Sequence, residues 1–454
     1  MSKTVKKSMD MELYQTQYHF DSECIELLDA CENKFKFTDE TELFSNLVNF
    51  STAKTQPYQR WVRYREGYST ILVKELMKRA QINSAQEFIA DPMMGSGSTL
   101  VEAKSQGYDS LGVDVNPYCK MIVELKTINP AISDLKKIKQ MISDNPWENI
   151  CVDDTHTPPL ADYFPKKNLE DILKIREWIN NLEDDVVKRT LLAAWFFCLE
   201  NSSNRKKDGN GLATRSAPIK DVFGYYCGIV NDIVDDFINY PLPTNKTFIE
   251  TKSAFEFSKC VKQFENESNK KLGCVIFSPP YANSFDYFES YKLELLFGGL
   301  IQQDKFKENK KSLIRNYRIC KSEKIFCDIE IVEALCREIL EEIPKKEQVT
   351  GKRDGRTRLM PNMLRGYFMD MQKVIMEIYS ALPKNKKCYI VVDQSAYVGV
   401  IVPTDVILAS IAEKIGFTVE EISVCRRAST SGQQLKKYPY LKNTLRESIV
   451  CLRK

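Results

Sequence analysis

Histidine is nearly missing from this chain, with only His19 and His156 among 454 residues. That scarcity argues against a metal site built on imidazole. Cysteine is plentiful, at fourteen, but unpatterned. No C-x-x-C pair occurs, and the closest neighbours, Cys24/Cys31 and Cys320/Cys327, stand seven apart. Zinc ligand pairs normally lie about two to four apart. The expectation is no metal, and thiols that are buried or idle in a reducing compartment. Long apolar runs are also lacking, and none approaches the ~18 residues of a membrane span. The stretch Met1 to Phe20 carries charges and no apolar core of a secretion signal. The chain is therefore expected in the cytoplasm, nucleoid-associated if it binds DNA, with no membrane partner. An excess of one charge is absent too: 65 Lys and Arg face 62 Asp and Glu, a net of +3. A histone-like polycation is excluded, while local basic patches stay open. Internal repeats and low-complexity tracts are not found.

What is present is a large apolar fraction, 43%, enough for a sizeable core. From Gln56 to Arg79 the spacing of Trp61, Tyr64, Tyr68, Leu72 and Leu76 predicts a helix. Strand-length runs follow at Glu87–Ala90, Ser110–Val115, Thr247–Glu250, Cys274–Ser278, Cys388–Asp393, Thr418–Val424 and Ser448–Leu452. Helical stretches separate the earlier runs, which implies an α/β fold with a parallel sheet. A polar loop joins the last two, which permits an antiparallel hairpin. Two gaps exceed a simple crossover and read as insertions at a sheet edge. The expected organisation is an extension over 1–55, a catalytic core over 56–128, 247–300 and 370–454, a helical insertion over 129–246, and a mixed insertion over 301–369.

Residues 88–99 read FIADPMMGSGST. A strand ends in Asp91, a turn carries Gly95 and Gly97, and helix formers follow. Glycines admit close backbone approach to a ligand, and the helix start offers free N–H groups. The loop is neither a P-loop nor a full G-x-G-x-x-G, because residue 100 is leucine. The next strand ends in Asp114, followed by Asn116-Pro117. An acid about 20 residues beyond a glycine turn is placed to accept ribose hydroxyls.

Residues 274–281 read CVIFSPPY. Two prolines end this strand and fix its backbone, at the carboxyl ends of the strands where open α/β sheets bind ligands. Ser278 adds a hydroxyl acceptor and Tyr281 a flat ring. An exocyclic amine on an aromatic base is a poor nucleophile because its lone pair is delocalised. Acceptors at Ser278 and the Pro279 carbonyl can hold its hydrogens and draw the nitrogen towards sp³, while Tyr281 stacks on the base. Transfer then becomes a positioning problem, in which alignment supplies up to ~7–11 kcal/mol.

Together DPMMGSGST, GVDVNP and SPPYANSFDYFESYKLEL resemble the S-adenosylmethionine-dependent amino-methyltransferases of DNA. Ser-Pro-Pro-Tyr is characteristic there of N4-cytosine enzymes, and Asp-Pro-Pro-Tyr is commoner for N6-adenine. The resemblance implies a Rossmann-like class I methyltransferase with a seven-stranded, mostly parallel sheet and a reversed last hairpin. It implies a site-specific DNA (cytosine-N4)-methyltransferase acting on a flipped-out base, in restriction-modification or related defence. It leaves open a cognate restriction endonuclease encoded separately. Carried over, Ser278, Pro279, Pro280 and Tyr281 are catalytic. Asp91, Pro92, Gly95, Gly97, Ser98, Asp114 and Asn116 bind S-adenosylmethionine, with no metal. The segment Arg65–Ser69 resembles the stretch at the methionine end. At Lys252-Ser253-Ala254 the family often carries an acid near the adenine, and this chain has none. No Pro-Cys dipeptide occurs, which argues against the carbon-5 cytosine enzymes and their thiol nucleophile.

DNA contact is expected from basic stretches: Arg205, Lys206 and Arg215 in the first insertion, Arg353 and Arg356 in GKRDGRTRL, and Arg426, Arg427, Gln433 and Gln434 around ASTSGQQL. The competing readings are N6-adenine methylation, methylation of an RNA base amine, a non-catalytic nucleic-acid binder on the same fold, and, most remotely, a nicotinamide oxidoreductase.

Overall fold

The computed structural model describes residues 22–48, 55–64, 67–152, 157–208, 211–215, 217–283, 285–320, 325–428 and 432–454. Its centre is an eight-stranded sheet. In chain order its strands are β1 (Phe37–Asp39), β2 (Glu87–Asp91), β3 (Ser110–Asp114), β6 (Thr247–Thr251), β7 (Lys271–Phe277), β8 (Lys387–Asp393), β11 (Thr418–Arg427) and β12 (Arg446–Arg453). Two hairpins lie outside it, β4 (Arg205–Asp208) with β5 (Gly211–Thr214), and β9 (Ser395–Tyr397) with β10 (Val400–Val402). The order across the sheet is β1-β11-β12-β8-β7-β2-β3-β6. Strands β6, β3, β2, β7 and β8 run parallel, and β12 is antiparallel to both β8 and β11. This is the Rossmann-like methyltransferase arrangement with its reversed last hairpin. All seven expected strands are present, with ends shifted by a few residues.

The eighth strand, β1, comes from the N-terminal extension and pairs in parallel with β11. Its three residues are too few to show a period. The preceding helix Ser22–Asn33 is tied to the sheet through Glu32, whose carboxylate meets the buried Arg446 at 2.7 Å.

Parallel strands buried on both faces need a core on each side. One face packs Leu28, Phe257, Leu335, Phe368, Val374 and Leu408 against the sheet. The other packs Leu72, Leu76 and Ala103. Each large aliphatic side chain buried this way contributes ~1.5–3 kcal/mol. A separate core holds the first insertion together. It joins Trp147, Ile175, Trp195, Tyr226 and Val230 to Phe288, Tyr291 and Phe297, which follow the Ser-Pro-Pro-Tyr segment in sequence. The helices of this insertion are Ile132–Ser143, Lys166–Asn180, Asp185–Ser202 and Val222–Asn239.

Expectations are corrected at several points. The helix expected from Gln56 begins only at Thr70, where Ser69 caps it by accepting from the Ile71 N–H at 3.2 Å. Tyr58 and Trp61 are buried for another reason. Asp236 of the insertion accepts from the Tyr58 amide at 2.8 Å and the Trp61 indole at 2.7 Å. The apolar spacing there comes from docking on a neighbouring helix. The basic residues Arg205 and Lys206 of the first insertion lie on the β4–β5 hairpin. The loop after β11 includes a short helix, Gly432–Lys437. The boundary expected at residue 370 also falls inside one helix, Met360–Ala381, which forms part of the crossover from β7 to β8.

Candidate functional site

Strands β2 and β7 are direct neighbours, with Ala90 opposite Val275. The chain departs from them in opposite directions across the sheet, β2 leading to β3 and β7 to β8. Such a switch point leaves a crevice at the carboxyl ends. The glycine loop after Asp91 and the prolines after Phe277 therefore emerge side by side. Between them lies a cavity of about 820 Å³, its open side included. Asp91, Pro92, Gly95, Ser98, Asp114, Asn116, Ser278 and Pro280 all line it.

The glycine-loop side is fully organised. The Asp91 carboxylate accepts from the Met93 N–H at 2.9 Å and the Tyr68 hydroxyl at 3.1 Å. Tyr68 also meets the Thr99 hydroxyl at 2.6 Å, and Thr99 donates to the Ile276 carbonyl at 3.3 Å. This chain of bonds ties helix Ser98–Ser105 to β7. The Asp114 carboxylate accepts from the Gly95 N–H at 3.0 Å and the Asn116 N–H at 2.9 Å. Burial pushes the Asp91 carboxyl up to about 7 and that of Asp114 up to about 6, against the opposing pull of these hydrogen bonds. Asn116 caps the next helix by accepting from the Tyr118 N–H, while its side-chain amide nitrogen is buried with no partner among the described groups.

Two glycines serve different ends. Gly95 takes φ +50° at the cavity wall. Gly97 does not line the cavity. A Cβ there would come within 2.6 Å of Val123, at φ +83°. It is required where helix Ser98–Ser105 packs on helix Pro117–Thr127, a contact the sequence could not distinguish from ligand contact.

The β7 side is left incomplete. The Ser278 hydroxyl oxygen is buried without a hydrogen-bond partner among the described groups. Pro279 is buried and lines neither this cavity nor the one beside it. Pro280 belongs to both, and Tyr281 lines only the second, smaller one. The Tyr281 hydroxyl donates to Glu447 at 2.9 Å, and Glu447 is held by Arg426 at 2.5 Å. Burial raises the Glu447 carboxyl, with Arg426 opposing. Further along, the Tyr397 hydroxyl donates to the Ala282 carbonyl at 2.7 Å.

Several lining residues were not singled out from the sequence as site residues, although Tyr287 lies inside the Ser-Pro-Pro-Tyr motif segment. Tyr64, Tyr287 and Ser312 to Ile314 complete the cavity. Gly67, Tyr68, Ser253 and Ala254 also line it, in the two segments singled out beside the motifs. Arg65 lies outside the described residues.

The basic candidates are scattered. Arg426 is engaged with Glu447 inside the site. Arg215 is half-buried and reaches Glu200 at 3.5 Å, and the Arg205 guanidinium stacks 4.3 Å over the Tyr163 ring. Lys206 and Arg353 are exposed. Arg356 is exposed and stands 5.4 Å over the Tyr317 ring. Arg427 is half-buried at the end of β11. Gln434 donates to the Ala396 carbonyl at 2.7 Å, and Gln433 lies in the same short helix. Among the described residues, no helix is long and apolar enough to cross a membrane.

No family model matches the chain. Type II methyltransferase M.AvaI of Nostoc sp. is 28% identical over 466 residues, spanning 92% of this chain and 92% of that protein. Type II methyltransferase M.BsoBI of Geobacillus stearothermophilus is 27% identical over 473 residues, 94% of this chain and 91% of that protein. Type II methyltransferase M.MvaI of Kocuria varians is 26% identical over 245 residues, 48% of this chain and 52% of that protein. The resemblance carried by the three motifs is borne out by similarity running along almost the whole chain.

Proposed function

We infer that this relative of the Type II methyltransferases is a site-specific DNA methyltransferase of the restriction-modification type. It methylates the exocyclic N4 amine of a flipped-out cytosine, with S-adenosylmethionine as donor. The observation that carries this is the cavity shared by the β2 and β7 tips, lined by Asp91, Asp114 and Ser278, whose buried hydroxyl oxygen has no partner among the described groups.

When bound, S-adenosylmethionine supplies an electrophilic methyl carbon on a sulfonium. The residues fit that group. Asp114, already fixed by two backbone N–H bonds, keeps lone pairs for ribose hydroxyls. The orphaned Asn116 amide offers a donor beside it. Pro92, Gly95 and Ser98 form the adjoining wall. Tyr68 and Thr99 hold Asp91 in place.

On the other side, the Ser278 hydroxyl accepts a hydrogen of the base amine. That would free the nitrogen lone pair for the methyl carbon that S-adenosylmethionine would supply, and Ser278, accepting from the amine, would be the first group to meet the proton the nitrogen gives up. Tyr281 stacks on the base, its ring steadied by the Glu447 tether. Extruding a base costs a few kcal/mol. Phosphate contacts by Lys206, Arg353 and Arg356 would offset that cost and hold the register.

The serine in Ser-Pro-Pro-Tyr is what favours cytosine over adenine. Single-molecule sequencing of DNA from cells expressing the protein tests both levels. N4-methylcytosine at one recurring site is the expected result. N6-methyladenine would overturn the choice of base, and unmodified DNA would overturn the activity.

A further inference from the structure

Beside the large cavity, and sharing Pro280, Tyr287, Leu313 and Ile314 with it, lies the second, much smaller pocket. Its walls are rich in rings: Tyr281, Phe285, Tyr287 and Tyr367. Phe285 and Tyr287 stand edge to face, 4.6 Å between centroids. Tyr367 differs from the others. It is 1% exposed, and its hydroxyl has no hydrogen-bond partner among the described groups. An orphaned buried hydroxyl is costly unless a ligand or a bound water satisfies it. Pro280, at the junction of the two cavities, thus separates two unpartnered hydroxyls, Ser278 on the large one and Tyr367 on the small one.

The surroundings of Tyr367 are rigid. It sits on helix Met360–Ala381. One turn on, Asp370 grips the facing loop by accepting from the Arg315 backbone N–H at 2.9 Å and from its guanidinium at 3.0 and 2.6 Å. Asn316 accepts from the Arg318 N–H at 3.0 Å and closes that loop on itself. The loop cannot swing in to satisfy the Tyr367 hydroxyl without breaking this clamp.

We propose that Tyr367 is a specificity-determining residue, whose hydroxyl donates to the ring acceptor adjacent to the reacting amine of the extruded base. On cytosine that acceptor is N3, and on adenine N1. With the amine at Ser278, the adjacent ring edge would lie towards Pro280, where the second pocket adjoins the large cavity. Burial holds the Tyr367 phenol well above its ordinary value, so it stays protonated and able to donate. Uracil, thymine and guanine carry an N–H at the corresponding position and offer no such acceptor. The proposal rests on the reading that an extruded base is the substrate, and it adds how the base is read.

The test compares the full-length wild-type protein with Tyr367→Phe, which removes only the oxygen. The DNA carries the target cytosine or its 3-deaza analogue, in which ring N3 is replaced by C–H. Should sequencing identify adenine as the target, 1-deazaadenine takes that place. For wild type, the deaza target should lower kcat/KM roughly tenfold, the value of one hydrogen bond to a buried group. Tyr367→Phe should show a similar loss on the natural base and no further loss on the analogue. Its calorimetric affinity for S-adenosylmethionine should be unchanged. Equal kcat/KM for wild type and Tyr367→Phe would overturn the proposal and return Tyr367 to the core. Additive losses would also overturn it, by separating the hydroxyl from the ring nitrogen. Wild-type protein that methylates no DNA would overturn the underlying function as well, an outcome distinct from the other two.

Discussion

The tips of β2 and β7 stand next to each other and are built in opposite ways. At β2 and its neighbour β3 the carboxylates are answered from within the chain: Asp91 by Met93 and Tyr68, Asp114 by Gly95 and Asn116. At β7 the Ser278 hydroxyl is buried and has no partner among the described groups. A satisfied tip is a rigid cradle whose shape precedes the ligand. An unsatisfied one stores a hydrogen-bonding demand that a substrate meets. On this comparison, substitutions at β2 act on cofactor binding and stability, and substitutions at β7 act on turnover.

The largest expected effect tests the β7 half. Ser278→Ala should lower kcat by about 100-fold, the usual scale for one polar group aligned on the reacting atoms. Affinities for DNA and for S-adenosylmethionine should hold. A loss appearing only in cofactor affinity would erase the distinction between the tips. Next, Asp114→Ala should weaken S-adenosylmethionine binding by at least about tenfold in calorimetry. It removes the proposed ribose acceptor and leaves the Gly95 and Asn116 N–H groups without their carboxylate. Retained affinity would detach Asp114 from the ribose.

Gly97→Ala should act on folding. The new methyl meets Val123 in a left-handed backbone, a strain of about 1–3 kcal/mol, and pairing it with Val123→Ala should restore part of the loss. Denaturant unfolding reads this, and an unchanged midpoint would argue against the packing role.

The smallest effect concerns pH. Asp91 sits near 3.8 in an unfolded chain and is raised by burial to about 7 in the fold. Between those values the folded state holds a proton that the unfolded state lacks. Its contribution to stability is complete below pH 4 and is lost as pH rises towards 7. Asp91→Asn should flatten that slope in unfolding curves of the ligand-free protein, and an identical slope would place the titration elsewhere.

The sheet was legible because each of its strands is a short apolar run bounded by turn residues, and because Ser-Pro-Pro-Tyr and Asp-Pro-Met-Met-Gly mark two strand ends. The strand β1 was not, since three residues carry no periodicity and gain their place only by pairing with β11. The segment Gln56 to Ser69 misled because its aromatic spacing records docking onto Asp236. Among the site residues, Asp91, Gly95, Asp114 and Ser278 could be read from motif and position. Tyr367 could not, because a tyrosine in an amphipathic helix looks the same whether its hydroxyl is idle or waiting. Arg426 read as a surface cation, though its partner Glu447 lies on the adjacent strand, a pairing set by sheet register.

The sequence alone determined the strands, the two motif-bearing loops and the class of chemistry. These depend on local backbone preference and on side-chain types held in fixed order. Only the tertiary structure decided that the two loops share one crevice, that Gly97 serves a helix contact, and that two hydroxyls are left unpartnered on either side of Pro280. Those outcomes depend on which groups meet across long stretches of chain, and hydrogen bonds and packing distances come into being only once the sheet has brought them together.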